Sequence, residues 1–240
     1  MSGNKTRRMQ AMVPWLRGNA PFPPVTKALR SPNGLLCAGG DLSPMRIVDA
    51  YSRGIFPWFS EGDPILWWSP DPRMVLFPEE LRVSRSLRKT VSRGTYELRV
   101  DTAFRAVMES CAVPRNGQGG TWIVPEMLEA YTQLHHLGFA HSFESWLDDE
   151  LVGGLYGMAL GKVFFGESMF ARAPDASKVA LVHLVQRLRS ADYQVIDCQQ
   201  ATAHLASLGA REIPRSAFAQ LLRESIQYPP SGESWRTPGN

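Results

Sequence analysis

Residues 140–169 read AHSFESWLDDELVGGLYGMALGKVFFGESM. Apolar and β-prone side chains fill Ala140–Trp146, Leu151–Leu160 and Val163–Met169, while Asp148–Glu150 and Gly161-Lys162 between them are turn formers. Turns this short join antiparallel neighbours. Downstream, Ser177 can cap a helix with Leu181, Leu184, Val185 and Leu188 on one face, and Gln194–Gln199 reads as a further short strand. A last helix is expected around Ser216–Ile226, ahead of a polar tail.

Upstream the character of the chain changes. Ser43 can cap a helix with Pro44 at its first position, Ile47, Val48 and Tyr51 on its apolar stripe, and Gly54 as its stop. Gly54–Pro78 (GIFPWFSEGDPILWWSPDPRMVLFP) holds five prolines and three tryptophans, which exclude a regular helix and predict extended chain and tight turns. Regular elements begin at Ser84–Arg93, a basic helix. Asp101 can cap the next, carrying Phe104, Val107, Met108 and Cys111, and Pro125 opens a third with Leu128, Tyr131 and Leu134, closed by Gly138. The expected fold is α+β. A small Pro/Trp-rich N-terminal domain (1–75) precedes an acetyltransferase-like, GNAT-type domain (76–240), its mostly antiparallel sheet flanked by helices.

Composition narrows the class. A hydrophobic fraction of 44% with 20% charged residues suits a globular core, and a net charge of +3 permits contact with nucleic acid without requiring it. Cys37, Cys111 and Cys198 lie far apart and form no Cys-x-x-Cys pair, so neither a disulfide framework nor a zinc site is indicated. No apolar run reaches the roughly 18 residues of a membrane helix. A soluble, cytoplasmic protein is expected.

Four groups of residues could carry chemistry. In Val195-Ile196-Asp197-Cys198-Gln199, strand alternation puts Asp197 and Gln199 on one face, an acid beside an amide where burial is usual. Such a pair either closes a structural hydrogen bond or handles and positions a substrate. In Phe164–Phe170 (FFGESMF), alternation groups Phe165, Glu167 and Met169. A solvated edge explains an isolated glutamate, but explains less well one set among phenylalanines and a methionine. Trp58, Trp67, Trp68 and Trp122 offer core bulk or stacking platforms, Trp122 following the glycines Gly117, Gly119 and Gly120 and Thr121. Arg82, Arg85, Arg88, Lys89, Arg93 and Arg99, against the single acid Glu97, form a basic stripe that suits phosphates or a solvated face. A catalytic pairing of Cys198 with His204 is disfavoured, since nothing nearby acidifies the thiol. Gly153-Gly154-x-x-Gly157 sits inside a strand and opens no helix onto a phosphate.

Several long, compositionally odd motifs occur in order: Pro32–Leu36, Gly39–Pro44, RGIFPWFS at 53–60, DPILWWSPDPR at 63–73, Gly120–Ile123, Gly153–Gly157, GESMF at 166–170, Ala176–Lys178, IDCQ at 196–199 and Ser207–Gly209. With them the chain resembles the leucyl/phenylalanyl-tRNA–protein transferase family. The resemblance covers about residues 31–215, leaving the first ~20 residues and the tail after Tyr228 outside it. It implies transfer of leucine or phenylalanine, and methionine less well, from tRNA to a protein beginning with Arg or Lys, within the bacterial N-degron pathway. The donor is then an activated ester that needs no cofactor; a monomer without a metal is expected. By the same resemblance, Trp58 and Trp122 hold the 3′-terminal adenosine and Glu167 lies at the aminoacyl site. Leu155, Phe164 and Ile196 line the side-chain pocket, and Asp197 and Gln199 are the catalytic pair. Arg85, Arg88 and Lys89 are assigned to tRNA phosphates from the basic stripe alone.

On this reading Gln199, a very poor base, orients the attacking amine, while Asp197 polarises Gln199 and receives the proton. Alternatively, a tRNA ribose hydroxyl carries the proton and both side chains only position. Two rival functions share parts of the pattern. An acetyl-coenzyme A-dependent N-acetyltransferase wants an Arg/Gln-x-x-Gly-x-Gly/Ala loop. The stretch Arg172–Ser177 instead puts Asp175 where a glycine belongs, repelling a pyrophosphate. A non-catalytic RNA-binding module leaves Glu167, Asp197 and Gln199 unexplained.

Overall fold

The structure is a computed structural model that describes residues 13–113, 122–226 and Trp235. The proline-rich N-terminal third supports only short strands. These are β1 (Trp15–Leu16), β2 (Leu35–Gly39), β3 (Phe56–Pro57) and β4 (Leu66–Trp68), in a four-stranded sheet ordered β1-β2-β4-β3. Helix α1 (Pro44–Ser52) runs between β2 and β3 and buries Ile47, Ala50 and Tyr51. Ser43 occupies its cap position without a side-chain bond, and the Ser43 N–H donates to the Asp41 carboxylate at 2.9 Å.

Strand β5 (Arg73–Leu76) enters a second sheet of seven strands. The others are β6 (Glu97–Val100), β7 (Ala140–Leu147), β8 (Glu150–Leu160), β9 (Val163–Ala171), β10 (Val195–Gln199) and β11 (Arg211–Ile213). Their spatial order is β11-β5-β10-β9-β8-β7-β6, and every pair is antiparallel except β9 with β10. Around it lie α2 (Arg85–Arg93), α3 (Phe104–Ala112), α4 (Pro125–His136), α5 (Ala176–Ser190), α6 (Ala203–Ser207) and α7 (Arg215–Ser225). Hairpins β7–β8–β9, then α5, then the parallel strand β10 reproduce the acetyltransferase-type order expected from the sequence.

Alternation along the strands sorts side chains onto two faces. Val75, Tyr156, Phe165 and Val195 join a cluster with Tyr51 and Trp67 of the N-terminal unit and with Met108 and Tyr131 of α3 and α4. Leu76, Leu155, Phe164 and Ile196 join another with Leu184 and Leu188 of α5. Helix α5 lies close on β8 because Gly153 has no Cβ; one built there would stand 2.5 Å from the Ala176 Cβ.

Two helix starts differ from expectation. Ser177 lies inside the first turn of α5, and the cap is Asp175, in the left-handed region at φ 60° with its carboxylate 2.8 Å from Lys178 Nζ. Asp101 does not cap α3. It accepts from the Ser142 N–H at 2.8 Å and bonds His141 Nδ1 at 2.8 Å. The turn that leads into α3 is held instead by Glu144, a buried carboxylate in the middle of β7. It accepts from the N–H groups of Thr102 at 3.0 Å and Ala103 at 2.8 Å, the Ser142 hydroxyl at 2.8 Å, Trp146 Nε1 at 3.0 Å and the Thr102 hydroxyl. Local pattern favours the nearest acid, whereas sheet pairing of β6 with β7 delivers one from 42 residues away.

An ionised carboxylate is acceptor-only, and the Glu144 site offers it donors alone. Glu144→Gln forces an amide NH2 against one of them and is expected to cost roughly 1–3 kcal/mol, read from urea unfolding.

Candidate active site

Two bulges lie side by side where β9 and β10 part. Their parallel pairing runs from Val163 with Val195 to Phe165 with Asp197. In β9 the register against β8 shifts, Tyr156 pairing with Ser168 and Gly157 with Gly166, which leaves Glu167 as the extra residue. In β10 the register against β5 shifts, Asp197 pairing with Val75 and Gln199 with Met74, which leaves Cys198 extra and Gln199 at φ 57°. Bulges bend a strand and re-aim its side chains. The alternation expected from the sequence therefore fails at both places. Phe165 meets the Tyr51 ring edge-on at 5.0 Å, whereas Met169 packs with the cluster under α5. Asp197 turns inward to Arg73, and Gln199 turns to Glu167.

Asp197 is fully buried and Arg73 is 1% exposed. The guanidinium donates from Nε to Oδ1 at 2.7 Å and from Nη2 to Oδ2 at 2.6 Å, so both carboxylate oxygens are engaged. Its Nη1 donates to the Gly54 carbonyl at 3.1 Å, and the Phe56 and Phe218 rings lie 4.9 and 4.8 Å from its carbon. Asp197 Oδ1 also accepts from the Gln199 backbone N–H at 3.0 Å. Asp197 thus bonds the Gln199 main chain, and the Gln199 side-chain amide donates instead to Glu167 Oε1 at 3.3 Å.

Glu167 is half-buried and also accepts from the Tyr51 hydroxyl at 2.7 Å, which in turn bonds the Tyr131 hydroxyl. Removal from water raises its carboxyl from 4.5 to about 8 against the pull of the Tyr51 bond; the Asp197 charge adds to the rise and the Arg73 charge offsets it. The Tyr156 hydroxyl, fully buried beside this group, has no hydrogen-bond partner among the described residues. A cavity of about 240 Å³ opens at the parted strands. Leu76, Leu155, Leu181, Leu184 and Ile196 give it apolar lining, and Glu167, Gln199, Thr202 and His204 give it polar lining.

The structure therefore brings Leu155, Glu167, Ile196 and Gln199 together on one cavity. Phe164 is fully buried in the apolar cluster behind it, edge-on to Phe143 at 6.5 Å. Trp58 is 40% exposed with its ring against Trp68 at 5.5 Å, and Trp122 is half-buried against the main core; neither lines the cavity. Gly117, Gly119, Gly120 and Thr121 lie outside the described residues. Arg85, Arg88, Lys89 and Arg93 line an open hollow of about 460 Å³ on α2, with no acid among its described lining residues. Burial pushes the Cys198 thiol up, away from nucleophilic use. Among the described residues no group of three or more His, Cys, Asp or Glu side chains is placed to hold a metal ion, and no helix is long and apolar enough to cross a membrane.

A family model described as leucyl/phenylalanyl-tRNA protein transferase matches residues 75–223, and one for the N-terminal domain of that family matches residues 40–71. This chain belongs to the leucyl/phenylalanyl-tRNA–protein transferase family. Relatives of that name share most of its length. One from Nitrosospira multiformis is 62% identical over 93% of this chain and 97% of its own. One from Chromobacterium violaceum is 60% identical over 93% and 96%, and one from Stutzerimonas stutzeri 57% identical over 94% and 100%. The protein is an aminoacyltransferase enzyme.

Sequence reasoning missed Arg73, Tyr51, Tyr131 and Tyr156 as neighbours of Glu167, Asp197 and Gln199 in this candidate site. Arg73 opens the otherwise apolar run RMVL, a signal that was present in the pattern. Tyr51 and Tyr131 sit on apolar helix stripes and read as core, because their hydroxyl partners are remote in sequence.

Asp197→Ala leaves the Arg73 cation buried and unpaired, and a stability loss of roughly 3–5 kcal/mol is expected in urea unfolding. Glu167 behaves in the opposite sense. The unfolded chain ionises this carboxyl near 4.5 and the folded enzyme near 8, so its contribution to stability falls as pH rises between those values. Glu167→Gln removes that titration. Its urea midpoint should match wild type near pH 5, exceed it at pH 8, and vary less between.

Proposed function

We propose that this enzyme moves leucine or phenylalanine, and methionine less well, from tRNA to the N-terminal Arg or Lys of an acceptor protein. The product carries a bacterial N-degron. The enzyme acts as a cytoplasmic monomer without a cofactor. The observation that carries the donor assignment is the cavity, in which an apolar wall for the amino-acid side chain meets Glu167 and Gln199. Leu155 and Ile196 form the wall and Phe164 sets its depth from behind. A wall of this kind separates similar aliphatic and aromatic side chains by only ~1–3 kcal/mol, which fits a donor range of Leu, Phe and Met. Trp58 and Trp122 stack on the terminal adenosine, at ~1–3 kcal/mol per base by substitution. Arg85, Arg88 and Lys89 take tRNA phosphates, a reading supported by a hollow lined by these cations with Ser92 and Arg93.

The donor is an activated ester, so the chemistry asks little of the side chains. Glu167 pairs with the donor's α-ammonium. Gln199 gives its N–H to Glu167 and keeps its carbonyl oxygen for an N–H of the attacking amine. The amine attacks the ester carbonyl, the C–N bond forms, the bond to the ribose oxygen breaks, and the proton lost by the amine passes to that departing oxygen. Asp197 stands behind Gln199 with both oxygens bonded to Arg73, which favours a positioning role over proton acceptance. Holding amine and ester together supplies ~7–11 kcal/mol of the barrier through effective molarity.

Incubation with labelled leucyl-tRNA and a peptide beginning with Arg should yield labelled peptide, and ribonuclease pretreatment should abolish it. At saturating donor, kcat/KM for the peptide should rise with pH through the amine's own value, about 7.7–8.0. That limb should move with peptides of lower amine pKa. Binding of tRNA without transfer, or transfer dependent on acetyl-coenzyme A, would overturn the proposal.

A further inference from the structure

We infer that Arg73 is a positioning residue for the transfer reaction: through Asp197 it fixes the bulge that points Gln199 at Glu167. The inference rests on the site proposed above and adds a residue outside the cavity. Three observations carry it. Arg73 holds both oxygens of Asp197 while the aromatic rings of Phe56 and Phe218 cover its faces, so the carboxylate has one available orientation. The same Oδ1 accepts from the Gln199 N–H at 3.0 Å, and Gln199 has the left-handed φ of 57° that L-residues rarely adopt. An isolated residue takes that conformation only when its surroundings over-determine it. With the main chain so held, the Gln199 side chain reaches Glu167 at 3.3 Å across the parted strands.

Four segments meet at this ion pair. Gly54 comes from the turn after α1 and Phe56 from β3 just beyond it, Arg73 from β5, Asp197 from β10 and Phe218 from α7. The pair therefore transmits the relative placement of the N-terminal unit and the large sheet to the amide that orients the attacking amine. Asp197 has a hydrogen-bonding duty, which its charge serves only by holding Arg73.

Two double variants separate this role from bulk stability and from proton acceptance. Arg73→Met with Asp197→Leu replaces the pair by apolar side chains of similar size, an exchange that often leaves buried ion-pair sites as stable as before. It removes the acceptor for the Gln199 N–H. Its unfolding midpoint should stay near wild type, while kcat falls about 100-fold, the scale of a misplaced reacting group, and KM for leucyl-tRNA changes little. Arg73→Gln with Asp197→Asn keeps a side-chain oxygen for Gln199 and removes both charges together. Its kcat should stay within about 10-fold of wild type, the scale of a weakened hydrogen bond. Wild-type kcat in a folded Arg73→Met/Asp197→Leu enzyme would show that the pair serves stability alone. Equal inactivity of both folded variants would show that the Asp197 charge itself is needed, and would overturn the inference. Absence of transfer by the wild-type enzyme would instead overturn the proposed function.

Discussion

Burying an ion costs several kcal/mol unless its neighbours replace the water it loses, and the Arg73–Asp197 pair buries two. The replacement is thorough. Carboxylate oxygens meet guanidinium N–H groups two by two, a third N–H reaches the Gly54 carbonyl, and phenylalanine rings close the faces. This sets a geometric demand on elements far apart in the chain. The loop after α1, strand β5, strand β10 and helix α7 must all arrive at one point. The cluster uniting the N-terminal unit with the seven-stranded sheet forms around that demand, with Tyr51, Trp67, Val75 and Phe218 in one contiguous core.

The site is the consequence of that fixed point combined with two local irregularities. Parallel pairing of β9 and β10 ends at Phe165 and Asp197, and each strand carries a bulge just beyond it. A regular continuation would have kept strand-to-strand hydrogen bonds and left no opening. Instead the strands part, the cavity appears, and the Glu167 carboxyl and the Gln199 amide meet on its lining. Glu167 borders the cavity half-buried, and removal from water raises its carboxyl to about 8. The acetyltransferase-type arrangement thus supplies the gap between strands. In place of a glycine-rich phosphate loop, the start of α5 carries Asp175 bonded to Lys178.

Much of this was legible in the chain. Turn residues at 148–150 and 161–162 announced the hairpins, Pro44 and Gly54 bracketed α1, and helical periodicity located α4 and α5. Glu167 and Gln199 stood out as polar residues inside apolar strands, and both reach the cavity. Alternation failed only where a bulge inserted a residue, because period-two reasoning assumes an unbroken ladder. The helix caps failed for a related reason. Asp101 and Ser177 were the nearest capping types, yet one bonds Ser142 and His141 and the other lies inside its helix.

The sequence by itself determined the family, the order of helices and strands, and which polar residues break an apolar pattern, since propensity, periodicity and motif order are local properties of the chain. Only the tertiary structure decided which of those residues are partners. Arg73 meets Asp197 across 124 positions and Tyr51 meets Glu167 across 116, separations over which local pattern carries no information about contact. The same folding step divided the acids by task. Asp197 became an ion-paired support because an arginine was brought to it in a site closed to water. Glu167 became a cavity group because the parted strands left it bordering open space.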